Sequence, residues 1–529
     1  MAFKFISNFV GGLNTFLPPK YLKSNESQIL LDAEIRRGQV ESVKSSLLAH
    51  PGTGGYYIRN FFADSGHNVW FTHNNPILYV DYMDAVYFSA PNELEDIYKK
   101  SPDGVNTYQI GVDTPTLAPT LSLSTLLNSP SVFTVGEVVQ YVYTAYKHGS
   151  ESSPSPVANI EIQNETDAVV IETPLASTFG AESIRIYRAG GGAGDFLLIH
   201  EFGGGQYTDN KSGAELGKAC DSWGNEKPPQ GLILDTYYRG YFIGHVDYSS
   251  ELRFSQPTNI ESWNPLDMVR FDSKIVRAVP YSGSIVVFCE SGVYQLVGTS
   301  IEDFQKVEIP TEQNCVSEKS IIVHDNVLWY QSPDGICVYD GANVKVVSQP
   351  KIAKSWFSGR KLTAASRDGR LYFGDASSIL AIDIDYGMAF SEFSPCPSLV
   401  DLFYNPADDR LYASNYSDIY QMFEGSEMAM QYRTGNLTNS IEDGWGSDIL
   451  LKTFRTVRII GEGTFDITLV VDGQTVATYP SIQLDQYRPT LLFFPRAARG
   501  YAGQVEFHGI GRVTGLHIEY YPEGANING

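Results

Sequence analysis

The chain has 529 residues, too many for one ordinary hydrophobic core, so its length predicts about three domains. It carries 38 Lys and Arg against 61 Asp and Glu, a formal net charge of −23. This balance argues against a protein that grips nucleic acid or an anionic membrane surface, because both tasks require basic surfaces. The 33 Tyr, 28 Phe, 48 Gly and 27 Pro favour strands joined by turns.

The opening residues, MAFKFISNFVGGL, contain one Lys and a short apolar patch, so we expect no signal peptide. No apolar run is long enough to cross a bilayer. The five cysteines are far apart in the sequence and form no C-x-x-C motif. We therefore expect reduced, buried thiols in a chain that folds in a cytosol.

Residues 1–111 are predicted to hold an N-terminal strap and a first propeller blade. The stretch SQILLDAEIRRGQVESV predicts a strand, a turn at Gly38 and a second strand, and we expect this strap to close the first blade. Residues 54–90 predict that blade, with apolar runs on either side of a turn at 74–76. Residues 93–100, acidic first and basic last, predict a short helix.

Residues 112–226 are predicted to form an inserted domain, with prolines at its entry and at its exit. Strict alternation, as in Ile184-Arg185-Ile186-Tyr187, is typical of strands with one buried face and predicts a β-sandwich that folds alone. The glycine-rich stretch 190–195 lacks the Lys-Ser/Thr pair of a phosphate loop and precedes a strand, so it predicts a hairpin turn.

Residues 227–425 are predicted to supply the remaining blades. Four segments in this region repeat an apolar run, a polar turn and a second apolar run, with Phe288, Tyr330, Phe373 and Ala413 in matching places. The second runs begin at Gly292, Gly335, Ser378 and Asp418. A repeat of about 40 residues built from short strands is typical of propeller blades. An earlier segment around Ser250 fits the same step, so we predict a β-propeller of about six blades.

Residues 426–529 break this period and predict a small C-terminal β-sandwich or barrel. A tight turn is predicted at Asp472-Gly473 between two strands. The stretch 503–522 is expected to form two more strands, which would place His508 and His517 on neighbouring strands. The predicted fold class is therefore all-β: a propeller with an inserted fibronectin-like sandwich and a C-terminal β domain.

Candidate chemical groups are few. His67 and His73 bracket a turn and are a weak candidate pair for zinc, and Asp383 with Asp385 is a weak candidate pair for calcium. The carboxylates considered for glycoside hydrolysis are expected in turns or on solvent faces: Asp383, Asp385, Asp408, Asp409 and Glu151. The H-E-x-x-H and G-x-S-x-G motifs do not occur. We therefore predict no catalytic, cofactor-binding or metal-binding residues and no enzymatic activity.

The segment FVGGLNTFLPPKYLKSNESQILLDAEIRRGQV resembles the start of the tail-tube nozzle proteins of short-tailed bacteriophages (tail tubular protein B-like). The matching places are Phe9, Gly11, Gly12, Asn14, Pro19, Leu22, Glu26, Arg37 and Gly38. YVYTAYKHGSESSPSP and IRIYRAG are similar to the fibronectin-like module of many such proteins, and GRLYFGD and RVTGLHIEYYP also fit.

The resemblance implies a virion protein of a phage tail, made in the bacterial host cytoplasm. It implies a homohexameric ring below the adaptor ring, in contact with tail fibres or a needle, through which DNA passes during ejection without specific binding. An acidic channel wall would repel phosphate and let the DNA slide. The alternative is a propeller-based glycan-binding or glycan-degrading protein, and the latter would need a pocketed carboxylate pair with a raised pKa.

Overall fold

The computed structural model describes most of the chain. The described ranges are 2–18, 21–51, 57–62, 68–73, 79–82, 85–89, 97–100, 107–126, 131–246, 248–257, 259–385, 387–394, 396–406, 408–438 and 451–523. Strands make up 56% of the residues and helices 3%, so the predicted all-β class is confirmed. Within these ranges, no helix has both the length and the apolar composition needed to cross a membrane.

The chain divides into two compact units. One unit comprises residues 1–61, 70–76 and 309–529, and the other comprises residues 62–69 and 77–308. Each unit contains three sets of four antiparallel strands of the kind that form propeller blades. Five of the six sets are separate four-stranded sheets, and the set within residues 363–393 belongs to a 15-stranded sheet that continues into the C-terminal domain.

The N-terminal segment contains six strands. They are β1 (Ala2–Ile6), β2 (Gly12–Leu13), β3 (Glu26–Leu31), β4 (Ala33–Arg36), β5 (Gln39–Ser42) and β6 (Leu47–His50). β4 and β5 form a hairpin whose two turn residues, Arg37 (φ 52°) and Gly38 (φ 80°), are both left-handed, as a two-residue hairpin turn requires. The turn predicted at Gly38 is thus confirmed.

The next six strands include the first four-stranded sheet. The strands are β7 (Tyr57–Phe62), β8 (Asn68–His73), β9 (Tyr79–Tyr82), β10 (Ala85–Ser89), β11 (Ile97–Lys100) and β12 (Thr107–Gln109). β9 to β12 form this sheet, whereas β7 and β8 form a separate two-stranded sheet. The prediction that residues 54–90 form the first blade is therefore wrong for its first half, since β8 pairs with β7 and not with β9, and the blade runs from Tyr79 to Gln109. The turn predicted at 74–76 lies outside the described residues.

The helix predicted at 93–100 is wrong over its described part. Residues 97–100 are strand β11, which pairs with both β10 and β12. Pairing on both sides supplies hydrogen bonds to a segment whose sequence favours a helix only through the order of its charges.

The inserted domain contains eight strands and is a β-sandwich, as predicted. The strands are β13 (Thr120–Thr125), β14 (Val138–Lys147), β15 (Ser150–Glu151), β16 (Ala158–Glu161), β17 (Asp167–Thr173), β18 (Ser183–Gly190), β19 (Ala193–Phe202) and β20 (Gly205–Asp209). One sheet has the order β13-β17-β20 and the other β15-β14-β18-β19, with β16 also on β14. Tyr141, Ile171 and Ile186 are fully buried in the core of the sandwich. The predicted hairpin at 190–195 is confirmed, since Gly190 pairs with Ala193.

Two more blade sheets belong to the same unit. Their strands are β21 (Leu232–Tyr238), β22 (Tyr241–Val246), β23 (Glu251–Ser255), β24 (Trp263–Arg270), β25 (Ile275–Tyr281), β26 (Ser284–Cys289), β27 (Gly292–Val297) and β28 (Gln305–Ile309). Each sheet is a simple antiparallel meander, β21-β22-β23-β24 and β25-β26-β27-β28.

The three blade sheets of the other unit follow. Their strands are β29 (Ile322–His324), β30 (Val327–Ser332), β31 (Gly335–Tyr339), β32 (Val344–Val346), β33 (Thr363–Arg367), β34 (Arg370–Gly374), β35 (Ile379–Asp383), β36 (Ala389–Phe393), β37 (Asp401–Asn405), β38 (Arg410–Ser414) and β39 (Ile419–Gln421). The last of these sheets has the order β37-β38-β39-β6.

The pairing of β6 corrects the prediction for the strap. β6 pairs antiparallel with β39, so the N-terminal segment completes the last blade and not the first. A lone strap strand has no sequence signal for its partner, because any exposed sheet edge offers the same backbone groups.

The repeat found in the sequence matches the sheets. Phe288, Tyr330, Phe373 and Ala413 all lie in the second strand of a blade and are fully buried. The predicted second runs coincide with the third strands, since β27 and β31 begin at Gly292 and Gly335 and β35 and β39 begin one residue after Ser378 and Asp418. The period therefore arises from one buried hairpin per blade.

The C-terminal domain is built on two 20-residue strands. Its strands are β40 (Met430–Thr434), β41 (Lys452–Val471), β42 (Gln474–Leu484), β43 (Thr490–Phe493), β44 (Arg499–Gly500) and β45 (Gly503–Pro522). β41 and β45 pair along their whole length, and the turn predicted at Asp472-Gly473 joins β41 to β42. β1, β5 and β40 also pair with β45.

The prediction of two strands within 503–522 is wrong, because β45 is continuous and carries both His508 and His517. The glycines that suggested a break serve close packing instead. A Cβ atom on Gly509 would lie 2.1 Å from the carbonyl oxygen of Thr464 on β41, which leaves no space for a side chain.

The described helices are short 3-10 segments at Ala176–Phe179, Gly213–Glu215, Glu318–Ser320 and Lys354–Trp356.

Candidate functional site

The residues that carry the phage resemblance meet in one place, which we call the N-terminal junction (residues 9–14, 25–27, 351 and 389–390). Backbone hydrogen bonds hold residues 9–14 beside residues 25–27 and the β4–β5 turn: the amides of Phe9, Gly11 and Asn14 donate to the carbonyls of Gly38, Asn25 and Ser27 at 3.0, 3.1 and 2.8 Å. The short strands β2 and β3 pair in parallel here.

The two glycines of the junction are required by close backbone approach. Gly12 has φ of 66°, and a Cβ atom on it would lie 2.7 Å from the amide nitrogen of Phe390. A Cβ atom on Gly11 would lie 2.5 Å from the carbonyl oxygen of Asn25. The Gly-Gly pair therefore lets the N-terminal segment pass against the start of β36 and the turn before β3.

Lys351 fastens this segment to the loop that follows β32. Its ammonium group donates to the carbonyl of Gly11 at 2.7 Å and to the carboxylate of Glu26 at 2.6 Å. The Lys351 carbonyl in turn accepts from the amides of Thr15 and Phe16 at 2.7 and 3.1 Å. Sequence reasoning missed Lys351, because nothing in the sequence links it to a motif more than 300 residues away.

The other described motif residues are structural as well. The side-chain oxygen of Asn14 accepts from the amides of Phe16 and Leu17 at 3.1 and 3.2 Å. Phe9 is 1% exposed and packs edge-on against Tyr432 of β40, while Leu22 is fully buried. Pro19 lies outside the described residues.

A cavity of about 520 Å³, which we call the acidic cavity because Asp and Glu outnumber Lys and Arg in its lining, lies between the β4–β5 hairpin and the β33–β36 strands. Its ionisable lining residues are Glu34, Arg36, Glu41, Lys44, Arg367, Asp368, Arg370, Asp383, Asp385, Glu424 and Glu427. Arg370 links its inner groups: its guanidinium donates to Glu34, to Asp383 at 2.8 Å and to the carbonyl of Ile35 at 3.2 Å. Burial opposes the charge of Arg370, but Glu34 and, to a smaller extent, Tyr372 and Asp383 together outweigh burial, so the pKa of Arg370 is raised.

The calcium pair considered from the sequence lines this cavity. Asp383 is the last residue of β35, is 8% exposed and pairs with Arg370, so the expectation that it lies in a turn or on a solvent face is wrong. Asp385 lies in the turn after β35. Among the described residues, no group of three or more His, Cys, Asp or Glu side chains could hold a metal ion. Of the zinc pair, His67 lies outside the described residues and His73 is described only as part of β8.

The remaining carboxylates considered from the sequence lie in two separate places. Asp408 and Asp409 lie in the β37–β38 turn, where they accept from the hydroxyls of Tyr412 and Tyr404 at 2.6 and 3.0 Å. The expectation that Glu151 lies in a turn or on a solvent face is wrong. Glu151 is 6% exposed, pairs with Arg185 at 2.7 Å and accepts from the hydroxyl of Tyr187 at 2.5 Å.

Two described carboxyls have a raised pKa, and neither lines the acidic cavity. Burial raises the pKa of Asp32, against hydrogen bonds from the amide and hydroxyl of Ser394. Burial also raises the pKa of Asp267, which accepts a hydrogen bond from Gln256.

All five cysteines are buried and none forms a disulfide, as predicted. Burial raises the pKa of the Cys289 thiol to about 12.

No family model and no curated protein matches the chain. Among solved structures, Hsv2 of Kluyveromyces marxianus is similar, with 9% identity and a TM-score of 0.27 over 60% of this chain and 95% of that one. BamB of Moraxella catarrhalis is similar at 13% identity and a TM-score of 0.25, over 57% of this chain and 97% of that one. Likenesses of this size carry no argument about function.

Proposed function

We propose that this chain is a structural, non-enzymatic segment of the tail tube of a short-tailed phage. Copies of it assemble into a closed ring of about six that forms the nozzle and conducts DNA during ejection. In this proposal the ring docks to the adaptor ring and to tail fibres or a needle. The chain is made in the bacterial host cytoplasm and ends in the virion.

The N-terminal junction is the observation that carries the proposal. The residues that resemble the opening of nozzle proteins, Gly11, Gly12 and Asn14 among them, have defined architectural tasks in the fold. They hold the N-terminal segment against β3, β36 and the loop at Lys351. A motif with a structural task fits a resemblance that reflects shared architecture and not shared chemistry.

The distribution of charge supports a conduit. Residues 451–523 contain 7 Lys and Arg and 7 Asp and Glu, so this part of the C-terminal domain is neutral. The rest of the chain therefore has 31 basic and 54 acidic residues (38 − 7 and 61 − 7) and carries the whole charge of −23. An acidic wall repels phosphate and lets DNA pass without being held.

The ion pairs support the proposal over a glycan-degrading alternative. Such an enzyme needs two carboxyls facing each other in a cavity, one with a raised pKa. In the acidic cavity, Glu34 and Asp383 are both paired with Arg370. The raised pKa values belong to Asp32 and Asp267, which are not among the residues that line it.

Negative-stain electron microscopy of the purified chain mixed with its adaptor ring tests the proposal. We expect rings with about six copies of the chain stacked on the adaptor, as closed point-group symmetry requires two complementary faces on each copy. Single particles of monomer size that never join the adaptor would contradict the proposal.

A further inference from the structure

The C-terminal domain presents one sheet face to solvent that is rich in apolar and basic side chains. Four neighbouring strands, β43, β41, β45 and β1, form this face, and their registers align Leu491, Arg458, His517 and Phe5 in one row across the sheet. A second row contains Phe493, Thr456 and Glu519. We call these residues, with Arg455, Arg496 and Tyr521, the outer C-terminal face.

The two faces of this sheet differ sharply in burial. Val457, Leu492 and Ile518 point into the core and are at most 5% exposed. On the opposite face, Phe5, Leu491 and Phe493 are 56%, 43% and 58% exposed. Leu491 and Phe493 are neighbours on β43, and Phe5 lies on β1 at the other end of the same row, with Arg458 and His517 between. The face is therefore a mixture of apolar and basic side chains, and exposed patches of this kind mark interaction sites.

The arginines of the face have no acidic partner. Arg455, Arg458 and Arg496 are exposed and have no carboxylate within ion-pair distance among the described residues. By contrast, many arginines elsewhere do form such pairs: Arg36, Arg185, Arg188, Arg253, Arg270, Arg360, Arg367, Arg370, Arg433, Arg499 and Arg512. Arg37, Arg239, Arg410 and Arg488 also have no carboxylate within ion-pair distance among the described residues, but they lie apart from one another in other segments of the chain. The outer C-terminal face instead has three such arginines.

A hollow of about 570 Å³ gives this face a shape that a partner can fill. Its lining includes Arg455, Phe493, Arg496, Glu519 and Tyr521. The Arg455 guanidinium lies 5.3 Å from the centre of the Tyr521 ring. The only carboxylate in the lining, Glu519, accepts a hydrogen bond from the hydroxyl of Thr456 at 2.8 Å. Arginine and aromatic side chains are the groups enriched at the centres of protein interfaces.

We propose that the outer C-terminal face binds the acidic part of a second copy of this chain. The partner chemistry follows from charge, because residues outside 451–523 carry the whole net charge of −23 while this face offers three unpaired guanidinium groups. A contact between two different surfaces on copies of the same chain is head-to-tail. Repeating it closes a ring when the rotation from one copy to the next is a whole fraction of a full turn. The inference rests on the proposed ring and names the surface that builds it.

A nucleic-acid partner fits the face less well. Arginines and aromatic rings also bind phosphates and bases, but a chain of charge −23 repels a polyanion over its remaining surface. An acidic protein surface with apolar groups satisfies both the guanidinium groups and the exposed Phe5, Leu491 and Phe493.

Sedimentation velocity of the full chain over a concentration series tests this inference. The variants are Arg458→Glu and Phe493→Ser, both on solvent-facing positions, and the matched control is Lys361→Glu, which makes the same charge reversal at an exposed lysine outside the face. Circular dichroism and thermal unfolding check that each variant folds. We expect the wild-type chain to self-associate more weakly at about 500 mM than at about 50 mM NaCl, because salt screens the charges.

We expect Arg458→Glu and Phe493→Ser to weaken association about tenfold or more, and Lys361→Glu to leave it within about twofold. Self-association of Arg458→Glu equal to that of wild type would overturn the inference, while rings in particles would still support the proposed function. A wild-type chain that stays monomeric would overturn it too. Binding of a DNA duplex that Arg458→Glu abolishes, without self-association, would assign the face to nucleic acid instead.

Discussion

The ammonium group of Lys351 lies 2.6 Å from the carboxylate of Glu26, across 325 residues of sequence. The same group donates to the carbonyl of Gly11 at 2.7 Å. One side chain therefore joins the N-terminal segment, the start of β3 and the loop after β32. Glu26 is 4% exposed, so the pair is largely removed from water.

Removing this lysine should destabilise the unit that contains it. In Lys351→Met, Glu26 loses its charged partner and Gly11 loses a hydrogen bond, which we expect to cost about 1–3 kcal/mol. Thermal unfolding followed by tryptophan fluorescence would show a lower midpoint, and amide exchange in residues 9–17 would accelerate. Lys354→Met is the control, since the side chain of Lys354 is 66% exposed in its pair with Asp334 and should shift the midpoint little.

Gly12 should tolerate no side chain. In Gly12→Ala the left-handed φ costs about 1–2 kcal/mol, and the new methyl group must also displace Phe390, so the unfolding midpoint should fall clearly. Gly359→Ala is a matched control in the same compact unit, because Gly359 has φ of 72° and nothing lies within 4 Å of the added Cβ atom. Equal shifts in both variants would show that the contact with Phe390 contributes nothing.

His517 should titrate below the ordinary pKa of a histidine. Burial and then the neighbouring Arg458 lower its pKa below the ordinary 6.5, against a smaller opposing effect of Glu519. The unfolded chain thus takes up this proton at a higher pH than the folded chain. The stability that the neutral ring contributes is complete above pH 6.5 and is lost as the pH falls towards the folded pKa.

A histidine-selective NMR titration measures this pKa, with His517→Gln used to assign the signal. We expect a midpoint below 6.5 in the wild type and a higher midpoint in Arg458→Gln, where one of the causes has been removed. A midpoint at or above 6.5 in the wild type would contradict the burial of the ring.

The sandwich core depends on a fully buried ion pair. Arg188 donates to Asp209 at 2.7 Å, and both side chains are 0% exposed. The hydroxyl of Tyr141 donates to the same carboxylate at 2.9 Å. Arg188→Met leaves a buried charge without its partner, and we expect a loss of about 3–5 kcal/mol in the free energy of unfolding of this domain.

The double variant Arg188→Met/Asp209→Asn removes both charges and should recover most of that stability. Urea unfolding of the three proteins, followed by signals from the sandwich, measures the difference. A double variant no more stable than the single one would show that hydrogen bonding, and not the unpaired charge, accounts for the loss.

Much of the fold was predictable from the sequence because local rules determine it. The blade hairpins are visible in the sequence because an apolar run that contains a buried residue, such as Phe288 or Phe373, recurs about every 40 residues. The turns at Gly38 and Asp472-Gly473 follow from the left-handed conformations that a two-residue hairpin requires.

The predictions were wrong where pairing with strands that are distant in the sequence determines the structure of a segment. β6 has nothing in its sequence that names β39 as its partner, and β11 becomes a strand because β10 and β12 flank it. β45 seemed to contain a break because its glycines fit a close approach to β41 as readily as a turn. The candidate sites show the same limit. Glu26 belongs to a motif that can be recognised in the sequence, whereas Lys351 and the outer C-terminal face could not be predicted, because their residues come together only in the folded structure.

A reconstruction of the purified virus particle by cryo-electron microscopy tests the central claim most directly. The proposal predicts a closed ring of about six copies of this chain below the adaptor ring, with Asp and Glu side chains outnumbering Lys and Arg on the wall that faces the channel. Absence of the chain from the particle, or a channel wall dominated by Lys and Arg, would contradict it.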